Sequence, residues 1–137
     1  MLTLDHFSAD IATWLRWFSA GQQLRKILPP GFPTIVTLCG STRFKETYYA
    51  EGKRLTHEGK IVLSVGDLDT SAANRTVNAP LDPALKIALD DLHKRKIDVS
   101  DEILVLNVGG YIGSSTQSEI EYAQAHGKVI RYLETPQ

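Results

Sequence analysis

Apolar residues recur at helical spacing through the first 28 positions. Phe7, Ile11, Trp14, Leu15 and Phe18 form one stripe, and Asp10, Arg16 and Gln22 lie off it. The pattern predicts an amphipathic helix. Pro29, Pro30, Gly31 and Pro33 then break it and form a short stiff linker. Beyond the linker the period changes. Thr34 to Leu38, Ile61 to Val65, Ile103 to Val108 and Val129 to Leu133 are short, β-branched, mostly apolar runs. Helical patterns at 43–58, 83–98 and 116–126 lie between them. Strands alternating with helices predict βαβ units and a mostly parallel sheet covered on both faces. The expected fold is a flavodoxin-like α/β three-layer sandwich with a short parallel sheet over 34–137. An extra N-terminal helix and Pro-rich linker occupy 1–33.

Local signals support each helix. Asp82 before Pro83 reads as an N-cap followed by a first-turn proline, and His93 to Lys96 place cations near the other end. Leu85, Ala88, Leu89 and Leu92 are the expected buried stripe of that helix. Phe44, Tyr48, Gly52 and Leu55 are the stripe of the preceding one, which Gly59 ends. Ile120, Ala123 and Gly127 are expected to face the sheet in the last. The stretch from Gly66 to Pro80 is polar and irregular, long enough for a functional loop.

Composition narrows the function. The chain has 137 residues, 42% of them hydrophobic, and a formal net charge of -1. A strongly basic nucleic-acid footprint is absent, as is a polybasic membrane anchor. No apolar run approaches the ~20 residues of a membrane span. Asp5 and Asp10 stand where a signal peptide is basic and then apolar, so a cytoplasmic location is expected. Cys39 is the single cysteine, which excludes an internal disulfide and, on this reading, a cysteine-based zinc site. The four histidines show no i, i+3 or i, i+4 pair, so no metal is expected.

In a doubly wound sheet, ligands bind outside the carboxyl ends of the strands where the strand order reverses. Two loops leave strand ends and enter helix starts. One is Cys39-Gly40-Ser41-Thr42-Arg43; the other runs from Asn107 through Gly110, Gly113, Ser114 and Ser115 to Thr116. In a 2-1-3-4 sheet they flank one crevice, and both can offer backbone N–H groups to an anion. The P-loop pattern and G-x-G-x-x-G are absent, as is the G-x-S-x-G elbow of a serine hydrolase. Carboxylate chemistry remains. Glu119 follows Thr116 by three residues, and two readings compete for it. It is the Glu of a Thr-x-x-Glu capping box, or a reactive carboxylate beside the glycine-serine loop.

At these loops the sequence resembles the nucleoside 2-deoxyribosyltransferase-like family, and most closely its 2'-deoxynucleoside 5'-monophosphate N-glycosidase branch. The resemblance rests on residues 39–43, on the strand opened by Ser100-Asp101, and on Ser115-Thr116-Gln117-Ser118-Glu119-Ile120-Glu121-Tyr122-Ala123. It implies that Glu119 is a catalytic nucleophile and that Gly113, Ser114 and Ser115 meet a 5'-phosphate. Gly40, Ser41, Thr42, Arg43, Gly110 and Asp101 join them as expected substrate contacts. Glu121 takes the place of the family's usual Gly. Where the family often carries an Asp on the preceding helix, His93 stands here, with Asp90 and Asp91 just upstream; Asp91 or His93 is the expected proton source for the departing base. The transferase branch's Asp six residues before the Glu is Gly113, which favours a phosphate-bearing substrate.

The expected activity is cleavage of the base–sugar bond of a nucleoside or its 5'-monophosphate, by hydrolysis or transfer, without metal or cofactor. The competing class is a non-catalytic nucleotide-sensing module in which Glu119 only caps its helix. The N-terminal apolar stripe must bury against its own domain or another subunit, and the resemblance implies a homodimer or larger oligomer. Nucleic acid and membrane are not expected partners.

Overall fold

The computed structural model describes residues 11–68 and 82–136, and within the first helix the side chains of Arg16 and of residues from Ala20 onward. The stripe of Phe7, Ile11, Trp14, Leu15 and Phe18 lies outside that description, as do residues 69–80 of the polar loop. In chain order the elements are α1 (Ile11–Ile27), β1 (Ile35–Cys39), α2 (Lys45–His57), β2 (Ile61–Leu63), α3 (Pro83–Val99), β3 (Glu102–Val105), α4 (Ser114–Ala125) and β4 (Val129–Tyr132). All strand pairs are parallel and the order is β2-β1-β3-β4. This is the flavodoxin-like three-layer arrangement. No described helix is long and apolar enough to cross a membrane.

The two-residue strand period sorts the central strands into two cores. Val36, Leu38, Leu104 and Leu106 pack with Tyr48 and Leu55 of α2. Cys39, Ile103 and Val105 pack on the other face with Ile97 of α3 and with Ile120 and Ala123 of α4. Strands buried on both faces therefore read as continuous apolar runs. Thr37 breaks β1 chemically and stays fully buried, because its hydroxyl bonds to Ser100 and to the Lys96 carbonyl.

The helix ends follow their local chemistry. The Asp82 carboxylate accepts a hydrogen bond from the Ala84 amide at 3.0 Å, and Pro83 opens the helix. Gly59, just past α2, has φ +82°, a left-handed turn that favours glycine. At the start of α4 the structure decides against the capping-box reading of Glu119. The helix begins at Ser114 with Gly113 as its N-cap residue, two residues before Thr116. Thr116 is thus inside the first turn, and Glu119 lies in the second, beyond reach of the N-cap amide.

The buried face of α3 also differs from the expected leucine stripe. Leu85 and Leu92 are exposed, whereas Ala88, Asp91, His93, Ile97 and Asp98 are buried. For Asp98, charge pairing makes this possible. The Arg95 guanidinium is 3.0 Å from Asp98, and the Tyr122 hydroxyl donates to Asp98 at 2.5 Å. α1 packs against α3 in the same chain. The contact is close: a Cβ on Gly21 would stand 2.3 Å from the Asp98 carbonyl oxygen, so only glycine fits there.

Candidate active site

A cavity of about 390 Å³ opens at the carboxyl end of the sheet, a size suited to a small molecule. Gly40, Ser41 and Thr42 after β1 form one wall, and Gly113, Ser114, Ser115 and Thr116 at the start of α4 form another. The two loops anticipated from sequence thus meet, because β1 and β3 are adjacent central strands. Gly40 sits at a close approach: a Cβ there would lie 3.0 Å from the Leu106 Cβ and 3.2 Å from its carbonyl oxygen. The buried Tyr48 hydroxyl donates to the Gly40 carbonyl at 2.6 Å and pins the turn from below.

Glu119 and His93 also line the cavity. Glu119 is only 8% exposed, and its Oε2 has no hydrogen-bond partner among the described residues. His93 Nε2 stands 4.0 Å from that oxygen, too far for a hydrogen bond, and 3.6 Å from Cys39 Sγ. Burial pushes the Glu119 carboxyl up to about 7; the neighbouring Cys39 thiol opposes the rise and the Asp90 charge adds to it. Burial, helped by the Lys96 charge, pushes His93 down to about 4. Near neutral pH the site therefore holds a neutral imidazole beside a carboxyl close to half ionised. Burial, and then the Glu119 charge, raise the Cys39 thiol.

The other expected residues divide. Arg43 is not in the wall; its guanidinium lies 4.4 Å from the centre of the Tyr111 ring, which does line the cavity. Gly110 is also outside the wall. It has φ +81° in the 3₁₀ turn Val108–Gly110, whose Gly109 amide donates to Glu134 Oε2 at 2.7 Å. That turn is tied to the chain beyond β4 rather than offered to an anion.

Two assignments fail on position. Asp91 is buried away from the cavity, 3.9 Å from Arg95, on the α3 face that carries Asp98. Asp101 lies at the opposite end of the sheet, where its carboxylate accepts the Ile35 amide at 2.8 Å and pairs with Arg25 at 2.8 Å. It joins β1, β3 and α1, and it is not a substrate contact.

Several lining residues escaped sequence reasoning. Asp90, one position from Asp91 and so about 100° around the helix, faces the cavity. Lys86 Nζ donates to Asp90 at 2.7 Å and to the Ser115 hydroxyl at 3.0 Å, bringing a cation to the start of α4. The i, i+4 spacing of Lys86 and Asp90 was a visible signal. Lys96 also lines the cavity and donates to the Ser64 carbonyl at 2.6 Å. The single cysteine did not exclude a mixed set of metal donors either. Cys39, His93 and Glu119 come from three elements, and their donor atoms all lie within 4.8 Å of one another.

Comparisons with protein-family models, with curated proteins and with solved structures find no match for this chain.

Proposed function

We propose that this protein cleaves the N-glycosidic bond of a nucleoside 5'-monophosphate or nucleoside, with Glu119 as the nucleophile. The observation that carries the reading is the Glu119 carboxyl: buried, with Oε2 unpartnered, on the wall of a nucleotide-sized cavity beside the amino end of α4. An oxocarbenium-like transition state at C1' demands a carboxylate placed against it and shielded from water. The resemblance to the nucleoside 2-deoxyribosyltransferase-like family supports the same residue.

On this reading Ser114, Ser115, Lys86 and the first-turn amides of α4 receive the 5'-phosphate, while Tyr111 and the Gly40–Thr42 turn flank base and sugar. Glu119 attacks C1' as its C1'–N bond breaks; the base leaves with a proton, and water or a second base then releases the sugar from Glu119. The proton reaches the base from water in the cavity. His93, neutral at pH 7 and 4.0 Å from Glu119, is a buried neighbour of the carboxyl rather than a strong acid. The protein is further proposed to be a cytoplasmic homodimer, and light scattering at tens of micromolar tests the assembly. The activity is tested by base release across nucleoside monophosphates and free nucleosides, where release from at least one substrate class is expected. Saturable nucleotide binding with no base release would make the protein a sensing module instead.

A further inference from the structure

Cys39 ends β1, His93 comes from the middle of α3 and Glu119 from the second turn of α4. Their side chains converge on one point. Sγ and Nε2 are 3.6 Å apart, and Nε2 and Glu119 Oε2 are 4.0 Å apart. A tetrahedral zinc ion with bonds of ~2.3 Å to sulfur and ~2.05 Å to nitrogen and oxygen sets an S···N edge of about 3.6 Å and an N···O edge of about 3.4 Å. The first edge is already met. The second needs the Glu119 carboxylate to move inward by about 0.6 Å, within the reach of a side-chain torsion.

A second observation points to a missing partner. Glu119 Oε2 is buried without a hydrogen bond, although it faces an imidazole and a thiol. A buried carboxylate oxygen left in that state is costly, and an ion between the three groups would satisfy it. The donor set selects the ion. A sulfur and an imidazole nitrogen with a single carboxylate suit zinc and its thiophilic neighbours, and leave magnesium and calcium, which want oxygen, poorly served. Three protein ligands leave a fourth position for water.

We propose that Cys39, His93 and Glu119 bind a thiophilic divalent cation, with zinc as the probe, and that its occupancy switches off the proposed glycosidase. Binding forms S–Zn, N–Zn and O–Zn bonds, and the Cys39 thiol proton and the proton of any protonated Glu119 leave to solvent; no electron moves. The cation takes the carboxylate that must otherwise attack C1', so bound metal and glycosidic cleavage are mutually exclusive. The inhibitory half rests on the reading of Glu119 given above, and the binding half does not.

The test uses the full chain stripped with a chelator and titrated with cobalt(II), then with zinc. One equivalent of cobalt is expected to give a sulfur-to-cobalt charge-transfer band and the intense visible bands of a four-coordinate ion, both erased by zinc. Cys39→Ser should lose the charge-transfer band, and Cys39→Ser and His93→Gln should each bind zinc at least about tenfold more weakly. His93→Gln stands in if circular dichroism shows Cys39→Ser unfolded. A wild type without the bands, or zinc affinity unchanged in a folded variant, overturns the site. Base release should fall in step with zinc occupancy, and release unaffected at full occupancy overturns the inhibition alone. If metal-free protein releases no base from any substrate, the glycosidase reading fails, and the cobalt spectrum still decides the cation site.

Discussion

The Glu119 carboxyl and the His93 imidazole face each other at 4.0 Å in a buried setting, with opposite displacements of their proton affinities. Burial penalises the charged form of each, so the acid is raised and the base lowered. The pair spends neutral pH as a neutral ring beside a half-ionised acid, so the anion that a nucleophile needs is present at that pH but not stabilised by its surroundings.

Glu119 gives a stability signature with a definite sign. Its folded value near 7 lies above that of an unfolded glutamate, so the folded state holds the extra proton between about pH 4.5 and 7. The contribution is fully present below that window and is lost as pH rises through it. Glu119→Gln, which cannot ionise, should gain melting temperature relative to wild type as pH is raised from about 5 to 8. Thermal melts across that range, with chelator present, check this; a gap that stays flat contradicts it. His93 works in the other direction. Its folded value near 4 gives stability that is present above about pH 6.5 and lost as pH falls through 4.

Asp101 is expected to matter for stability alone. Asp101→Ala leaves the Ile35 amide and Arg25 without their partner, at a cost of about 1–3 kcal/mol. Denaturant unfolding should show the loss, while the KM of the folded variant stays unchanged. A raised KM at unchanged stability would return Asp101 to the site.

The close approach of Gly21 to Asp98 makes a steric prediction. Gly21→Ala improves helix propensity by about 1 kcal/mol in isolation, yet drives a methyl group into a carbonyl oxygen. Net destabilisation of about 1–3 kcal/mol is expected from urea unfolding. A stabilised variant would show that α1 does not rest on α3 in solution.

These residues also show what the sequence made legible. β-Branched runs alternating with helical periods were enough for the parallel sheet; the 2-1-3-4 order entered only as a condition, and with it met Gly40–Thr42 and Gly113–Ser115 share one cavity. The face of α3 was not legible, because Asp98 is buried by pairing with Arg95 on its own helix and with Tyr122 on α4, which a hydrophobic period does not register. For the same reason Asp90 and Asp91 could not be told apart. The start of α4 was misplaced because Thr-x-x-Glu imitates a cap, while the true cap position is a glycine with no side chain to announce it. Cys39 and His93 are 54 positions apart, and only the fold puts them in contact.

Phosphate recognition separates nucleotide from nucleoside. Ser114→Ala with Ser115→Ala, or Lys86→Ala alone, should raise KM for a nucleoside monophosphate about tenfold or more and barely change it for the matching nucleoside. Steady-state kinetics on the pair of substrates measures this. Equal effects on both would remove the phosphate from the start of α4.

Base release by Glu119→Gln is the most direct measurement. The substitution keeps the size of the side chain and removes the negative charge. The account predicts a folded protein that still binds nucleotide and loses at least about a thousandfold in turnover. Glu121→Gln, on the exposed side of α4 where Gln117 donates to Glu121 at 3.2 Å, should keep most activity. Near-wild-type turnover in Glu119→Gln would contradict the account, as would a wild type that releases no base from any nucleotide or nucleoside.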